Sequence, residues 1–94
     1  MYIRIAWDPL KAADNYRKHG VAFVDAERAL ADDRAVVITD DRFDEQRFVA
    51  IGMDSNQRVL VVAYTYPSDA EELRIISARK ATPREQRQYY GQQK

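Results

Sequence analysis

Ninety-four residues, 46% of them hydrophobic and 32% charged, suffice for one globular domain over 1–94 and are too few for two of ordinary size. Without cysteine the chain has no disulfide framework and no thiolate metal site; its opening MYIRIAWDPL has no signal-peptide pattern and no apolar run reaches about 20 residues, so a cytoplasmic location and no membrane contact are expected. The net charge of zero argues against indiscriminate nucleic-acid binding, but residues 1–45 carry seven Lys/Arg against ten Asp/Glu and residues 46–94 eight against five, so a basic face in the later half is compatible with neutrality.

Tyr2 to Ala6 suggests a first strand, after which Asp8 caps a helix that has Pro9 at its first position and stops at Lys18-His19-Gly20. Trp7, just before the cap, is a candidate hydrophobic staple. A second helix runs from Phe23 to Ala31, with Phe23, Ala26, Ala29 and Leu30 near one face. Strands are predicted over Ala35–Thr39, Arg47–Met53, Arg58–Tyr66 and Glu72–Ala78, with short links that imply antiparallel neighbours. Thr82-Pro83-Arg84-Glu85 is a capping box that opens a last helix to about Tyr90. The order β-α-α-β-β-β-β-α defines an α+β fold, an antiparallel β-sheet packed with helices.

On the first helix Lys11, Asn15, Lys18 and His19 follow a spacing of i, i+4, i+7 and i+8, a polar and cationic stripe that is either a phosphate-facing row or an ordinary solvated face. His19 is the only histidine, and histidine is the side-chain type best matched to proton transfer near neutral pH. Arg47, Arg58, Arg74 and Arg79 fall in or beside predicted strands, and Lys80, Arg84 and Arg87 follow. Arginine suits phosphate because its planar fork holds two oxygens at once, though strand arginines also commonly sit beside carboxylates. Strict alternation puts Arg79 with Leu73, Ile75 and Ser77, and Arg74 with Ile76, Ala78 and Lys80, on opposite faces. Tyr64, Tyr66, Tyr89 and Tyr90 are candidates to stack on unpaired bases, packing being the alternative.

The acidic group Asp40, Asp41, Asp44 and Glu45 lacks the spacing and glycine of a calcium loop and reads as a solvated turn. With one histidine and no G-x-S-x-G, Walker or dinucleotide motif, no metal and no cofactor are expected. The residues alone define a small α+β domain with a candidate phosphate-binding face.

Trp7-Asp8, Lys11-Ala12, Asn15 and Lys18-His19-Gly20-Val21, then Phe23 and Ala26, resemble the N-terminal signature of BrnT toxins. The run Arg74-Ile75-Ile76-Ser77-Ala78-Arg79-Lys80-Ala81, followed by Glu85, Arg87 and Tyr90, is similar to the family's second hallmark, and Arg47, Ile51-Gly52 and Val59–Thr65 fit the middle. The resemblance implies a RelE-like fold and an endoribonuclease that arrests growth, the toxin of a type II toxin-antitoxin system. It also implies neutralisation by a BrnA-like antitoxin in a hetero-oligomer. Carried over residue by residue, it draws on Lys18, His19, Arg47, Arg79 and Lys80. In the resulting assignment His19 transfers a proton, Arg79 and Arg47 hold the scissile phosphate, and Lys18 or Lys80 is the second proton-transfer group. Lys11, Lys80, Arg58, Arg74 and Tyr64 are the expected RNA contacts, and the antitoxin is expected over Arg79, Lys80, Arg84 and Arg87. The alternative is a non-catalytic module of the same fold that binds the antitoxin or an operator complex.

Overall fold

The computed structural model describes residues 4–40, 47–67 and 71–91, and orders them as β1 (Arg4–Ala6), α1 (Pro9–His19), α2 (Phe23–Leu30), β2 (Val36–Asp40), β3 (Arg47–Met53), β4 (Val59–Thr65), β5 (Glu72–Lys80) and α3 (Pro83–Gly91). The expected element order therefore holds, with Tyr2 and the acidic residues Asp41, Asp44 and Glu45 outside the described residues. Local chemistry sets the helix ends. The Asp8 carboxylate accepts the Leu10 N–H at 2.8 Å with Pro9 at the first helical position, and α1 closes on Gly20 at φ +69°, where a side chain is strained. At α3 the Thr82 hydroxyl accepts the Glu85 N–H at 3.2 Å and the Glu85 carboxylate accepts the Thr82 N–H at 2.9 Å, a reciprocal capping box.

The five strands lie in the order β1-β5-β4-β3-β2. Strands β2 to β5 are antiparallel neighbours, as their short links require, while β1 joins β5 in parallel and makes the sheet mixed. One sheet face is sealed by α1 and α2: Phe23, Ala26 and Ala29 pack on Ala50, Leu60, Val62, Tyr64, Leu73, Ile75 and Ala78, with Trp7 edge-on to Phe23 at 6.0 Å. Gly52 lets α2 sit this close, since a Cβ there would stand 2.3 Å from the Ala29 carbonyl oxygen. On the opposite face α3 covers one end only, where Tyr89 packs among Ile51, Val59, Val61 and Ala81. The rest of that face is uncovered among the described residues.

Asn15 ties α1 to the sheet. Its amide nitrogen donates to the Ala78 and Val21 carbonyls at 2.9 and 3.0 Å, and its oxygen accepts the Ala78 N–H at 3.0 Å. Where β1 has ended, this one side chain offers β5 the donor and acceptor of a neighbouring strand. The membership of Asn15 in a phosphate-facing stripe is thereby corrected: it is 5% exposed and turned inward.

Candidate active site

An irregularity in β5 shapes the uncovered face. Ser77 lies opposite Ala63 but Ile75 lies opposite Tyr64, so Ile76 is an extra residue, a β-bulge. Past it the alternation resets. Ile75 and Ala78 both point into the helical core, whereas Arg74, opposite Thr65, and Arg79, opposite Val61, share the other face. The strict alternation that separated Arg74 from Arg79 is thus overturned by one inserted residue. Lys80, opposite Leu60, is exposed on the far side.

Between β2, β5 and the start of α3 this face forms an open groove of about 480 Å³ whose walls include Ile38, Arg47, Val61, Ser77, Arg79 and Glu85. Its floor is apolar and its polar groups converge from three elements, the usual make-up of a ligand site. Glu85 reaches back from the first turn of α3 and takes both terminal nitrogens of Arg79, Nη1 to Oε1 and Nη2 to Oε2, each at 2.8 Å. The Arg79 guanidinium, opposed by burial and aided by the Thr82 N–H, holds the Glu85 carboxyl down to about 2. In return Glu85 raises the pKa of Arg79, so both groups stay charged.

Two of the residues singled out in the sequence, Arg47 and Arg79, are therefore brought together in one groove. Arg74 shares the face at its β1 end, where Glu72 accepts from Arg4 at 2.8 Å and from Arg74 at 3.4 Å. Lys11, Lys18 and His19 are exposed on α1 and do not line the groove, and Lys18 pairs with Asp14 at 3.1 Å. Because α1 starts beside the Arg74 end of β5 and reaches Ala78 at Asn15, its last turn is carried toward the end of β5 that holds Arg79 and Lys80. Arg58 and Lys80 meet instead at a separate depression of about 210 Å³. There Arg58 is bound by the buried Asp54 at 2.9 Å and by Asp25 of α2 at 3.2 Å, a bracket between the β3–β4 turn and the helices. Tyr64 is 6% exposed and stacked on Phe48 at 5.5 Å, so its ring is covered; burial, with Tyr66 beside it, pushes its hydroxyl pKa up.

Sequence reasoning gave Glu85 no role in the site, reading it as a cap and as one residue of the family resemblance. The signal was present, since a box closing at Thr82 immediately after β5 must fold Glu85 back over the strand end that carries Arg79. Among the described residues no three His, Cys, Asp or Glu stand close enough together to hold a metal ion, and no helix is long and apolar enough to cross a membrane.

The family model described as "Ribonuclease toxin, BrnT, of type II toxin-antitoxin system" matches residues 7–85. The crystal structure of the Brucella abortus ribonuclease toxin BrnT is similar with a TM-score of 0.67 and 31% identity, over 86% of this chain and 99% of that one. No curated protein matches the chain significantly. Sheet, helices and family match define the class: a ribonuclease toxin of a type II toxin-antitoxin system. Within that class the chain belongs to the BrnT family.

Proposed function

We propose that this chain is a metal-independent endoribonuclease whose arginine groove holds the scissile phosphate of RNA. The observation that carries the reading is the convergence of Arg47 and Arg79 on one open groove in a member of a ribonuclease toxin family. In the reaction an RNA 2′-oxygen attacks the adjacent phosphorus, the bond to the 5′-oxygen breaks, one group takes the 2′-hydroxyl proton and another returns a proton to the leaving oxygen. Arg47 and Arg79 stabilise the extra negative charge on the phosphoryl oxygens as it develops. His19 is the proposed proton carrier, with Lys18 or Lys80 as the second; all three lie on the helical side of β5, so this assignment requires the RNA to pass over the end of β5 that Arg79 and Lys80 share. The products are a 2′,3′-cyclic phosphate and a free 5′-hydroxyl.

A BrnA-like antitoxin neutralises the protein in the cytoplasm by covering Arg79 in the groove together with the exposed cations Lys80, Arg84 and Arg87 beyond it, where acidic side chains are steered in fastest at low salt. The test is purified protein with RNA in EDTA. Cleavage to cyclic phosphate ends is expected, absent on 2′-O-methyl RNA and lost in His19→Ala and Arg79→Ala. Cleavage that needs added magnesium, or that persists on 2′-O-methyl RNA, overturns the mechanism.

A further inference from the structure

Counting the donors of Arg79 assigns a role to Glu85. A guanidinium carries five N–H groups, two on each terminal nitrogen and one on Nε. Glu85 takes one from each terminal nitrogen, and the Lys80 carbonyl accepts a further one from Nη1 at 3.3 Å. What remains is the Nε hydrogen and the second Nη2 hydrogen, which lie side by side on one edge of the guanidinium. That edge is a two-pronged fork spaced for two oxygens of one phosphate. Rotation about the end of the side chain would dissolve it, and the Glu85 carboxylate blocks the rotation from a helix start fixed by its own capping box. The far end of α3 is fixed too, because the Tyr89 hydroxyl donates to Asp32, whose carboxylate also accepts the Arg34 and Met53 N–H groups.

We propose that Glu85 is a positioning residue for RNA cleavage: by occupying the terminal edge of Arg79 it presents the Nε–Nη2 edge to the scissile phosphate. The inference rests on the groove being the RNA site. A direct role as the base that takes the 2′-hydroxyl proton is disfavoured, since both Glu85 oxygens are already engaged and its carboxyl is held far below the pH at which a base is effective. The carboxylate also subtracts from the positive charge of the groove, so it should weaken RNA binding while it improves turnover.

The test compares Glu85→Gln, Glu85→Ala and Thr82→Ala with the parent protein, by steady-state cleavage of a short RNA with melting temperatures in parallel. Glu85→Gln keeps the capping geometry but not the charge; its kcat should fall about tenfold while KM also falls. Glu85→Ala should lose about a hundredfold in kcat, the scale of a misaimed catalytic group. Thr82→Ala removes the hydroxyl of the cap but leaves the residue-82 N–H on Glu85 Oε1 and both Glu85 contacts to Arg79, so it should melt earlier yet keep kcat within about twofold. Adding Glu85→Ala to Arg79→Ala should cost nothing more, because the first acts only through the second. Parent-like kcat in both Glu85 variants beside an inactive Arg79→Ala overturns the positioning role and leaves the groove intact as the site. Loss of the acidic limb of the pH–rate profile in Glu85→Gln also overturns it, in favour of a base. Full activity in Arg79→Ala removes the groove itself.

Discussion

The two faces of the sheet use the same residue types for opposite ends. On the helical face polar groups are spent on closure: Asn15 completes the edge of β5, and Arg58 is held between Asp54 and Asp25, with the Asp54 side chain fully buried. On the open face Arg79 is also ion-paired, yet its side chain is 42% exposed and lines a groove with Arg47. An ion pair therefore does not by itself separate architecture from chemistry. The separating feature is what remains after the pair forms. Arg58 is clasped by Asp54 and Asp25, which tie two elements together, whereas Arg79 keeps an edge in the groove that a ligand can reach.

The largest expected effect breaks the open face. Arg79→Ala should lower RNA cleavage by about 10²- to 10³-fold, the loss seen when one preorganised charge-stabilising donor is removed. The melting temperature should move little, because the pair is partly solvated and contributes about 1 kcal/mol or less to folding. A folded, fully active variant would end the distinction between the faces.

The next effect breaks the closed face. Asn15→Ala removes three hydrogen bonds and leaves the Ala78 N–H and two carbonyls without them in a buried setting, a loss of about 3 kcal/mol. For a domain of this size that is roughly 15 °C in melting temperature, readable by circular dichroism. Arg58→Ala should follow at about 2 kcal/mol, since Asp54 keeps the Asn56 and Arg58 backbone N–H groups but loses its cation. Its cleavage rate per folded molecule should match that of the parent. A drop in kcat at constant stability would move Arg58 from scaffold to site.

How much of this was legible follows the range of the interactions involved. Element order, both caps of α1 and the capping box of α3 were readable because each depends on residues within a few positions of one another. The shared face of Arg74 and Arg79 was not, because Leu73-Arg74-Ile75-Ile76-Ser77 carries no mark of an inserted residue; the bulge exists only as a register against β4. Asn15 was misplaced for a related reason. Its helical neighbours Lys11 and Lys18 are cations, and periodicity groups a face without saying which part of it meets a strand edge. Arg47 and Arg79 were picked out in the sequence, but their common groove with Glu85 needed the packing of α3 on the sheet.

The smallest effect, and the one that isolates charge on the open face, is the pH dependence of stability. Arg79 holds the Glu85 carboxyl at about 2, below the ordinary 4.5 that it regains in the unfolded chain. A group depressed on folding contributes stability that is fully present above the unfolded value and is lost as pH falls through the folded one. The difference between the parent and Glu85→Gln should therefore be flat from neutrality to about pH 5. It should shrink between about pH 4.5 and 2 and vanish below, because the glutamine does not titrate. The plateau should be about 1 kcal/mol, since the Arg79 end of the pair is open to solvent, and it should fall in high salt. Asp14, Asp32 and Glu72 are also held below their ordinary values, but they titrate alike in both proteins and cancel from the difference. Urea titrations at half-unit pH steps give the curve directly. A difference that stays constant from pH 7 to pH 2 would assign the effect to capping or packing. Arg79 would then need no fixed anion at its terminal edge, and the two faces of the sheet would differ only in how much of each is covered.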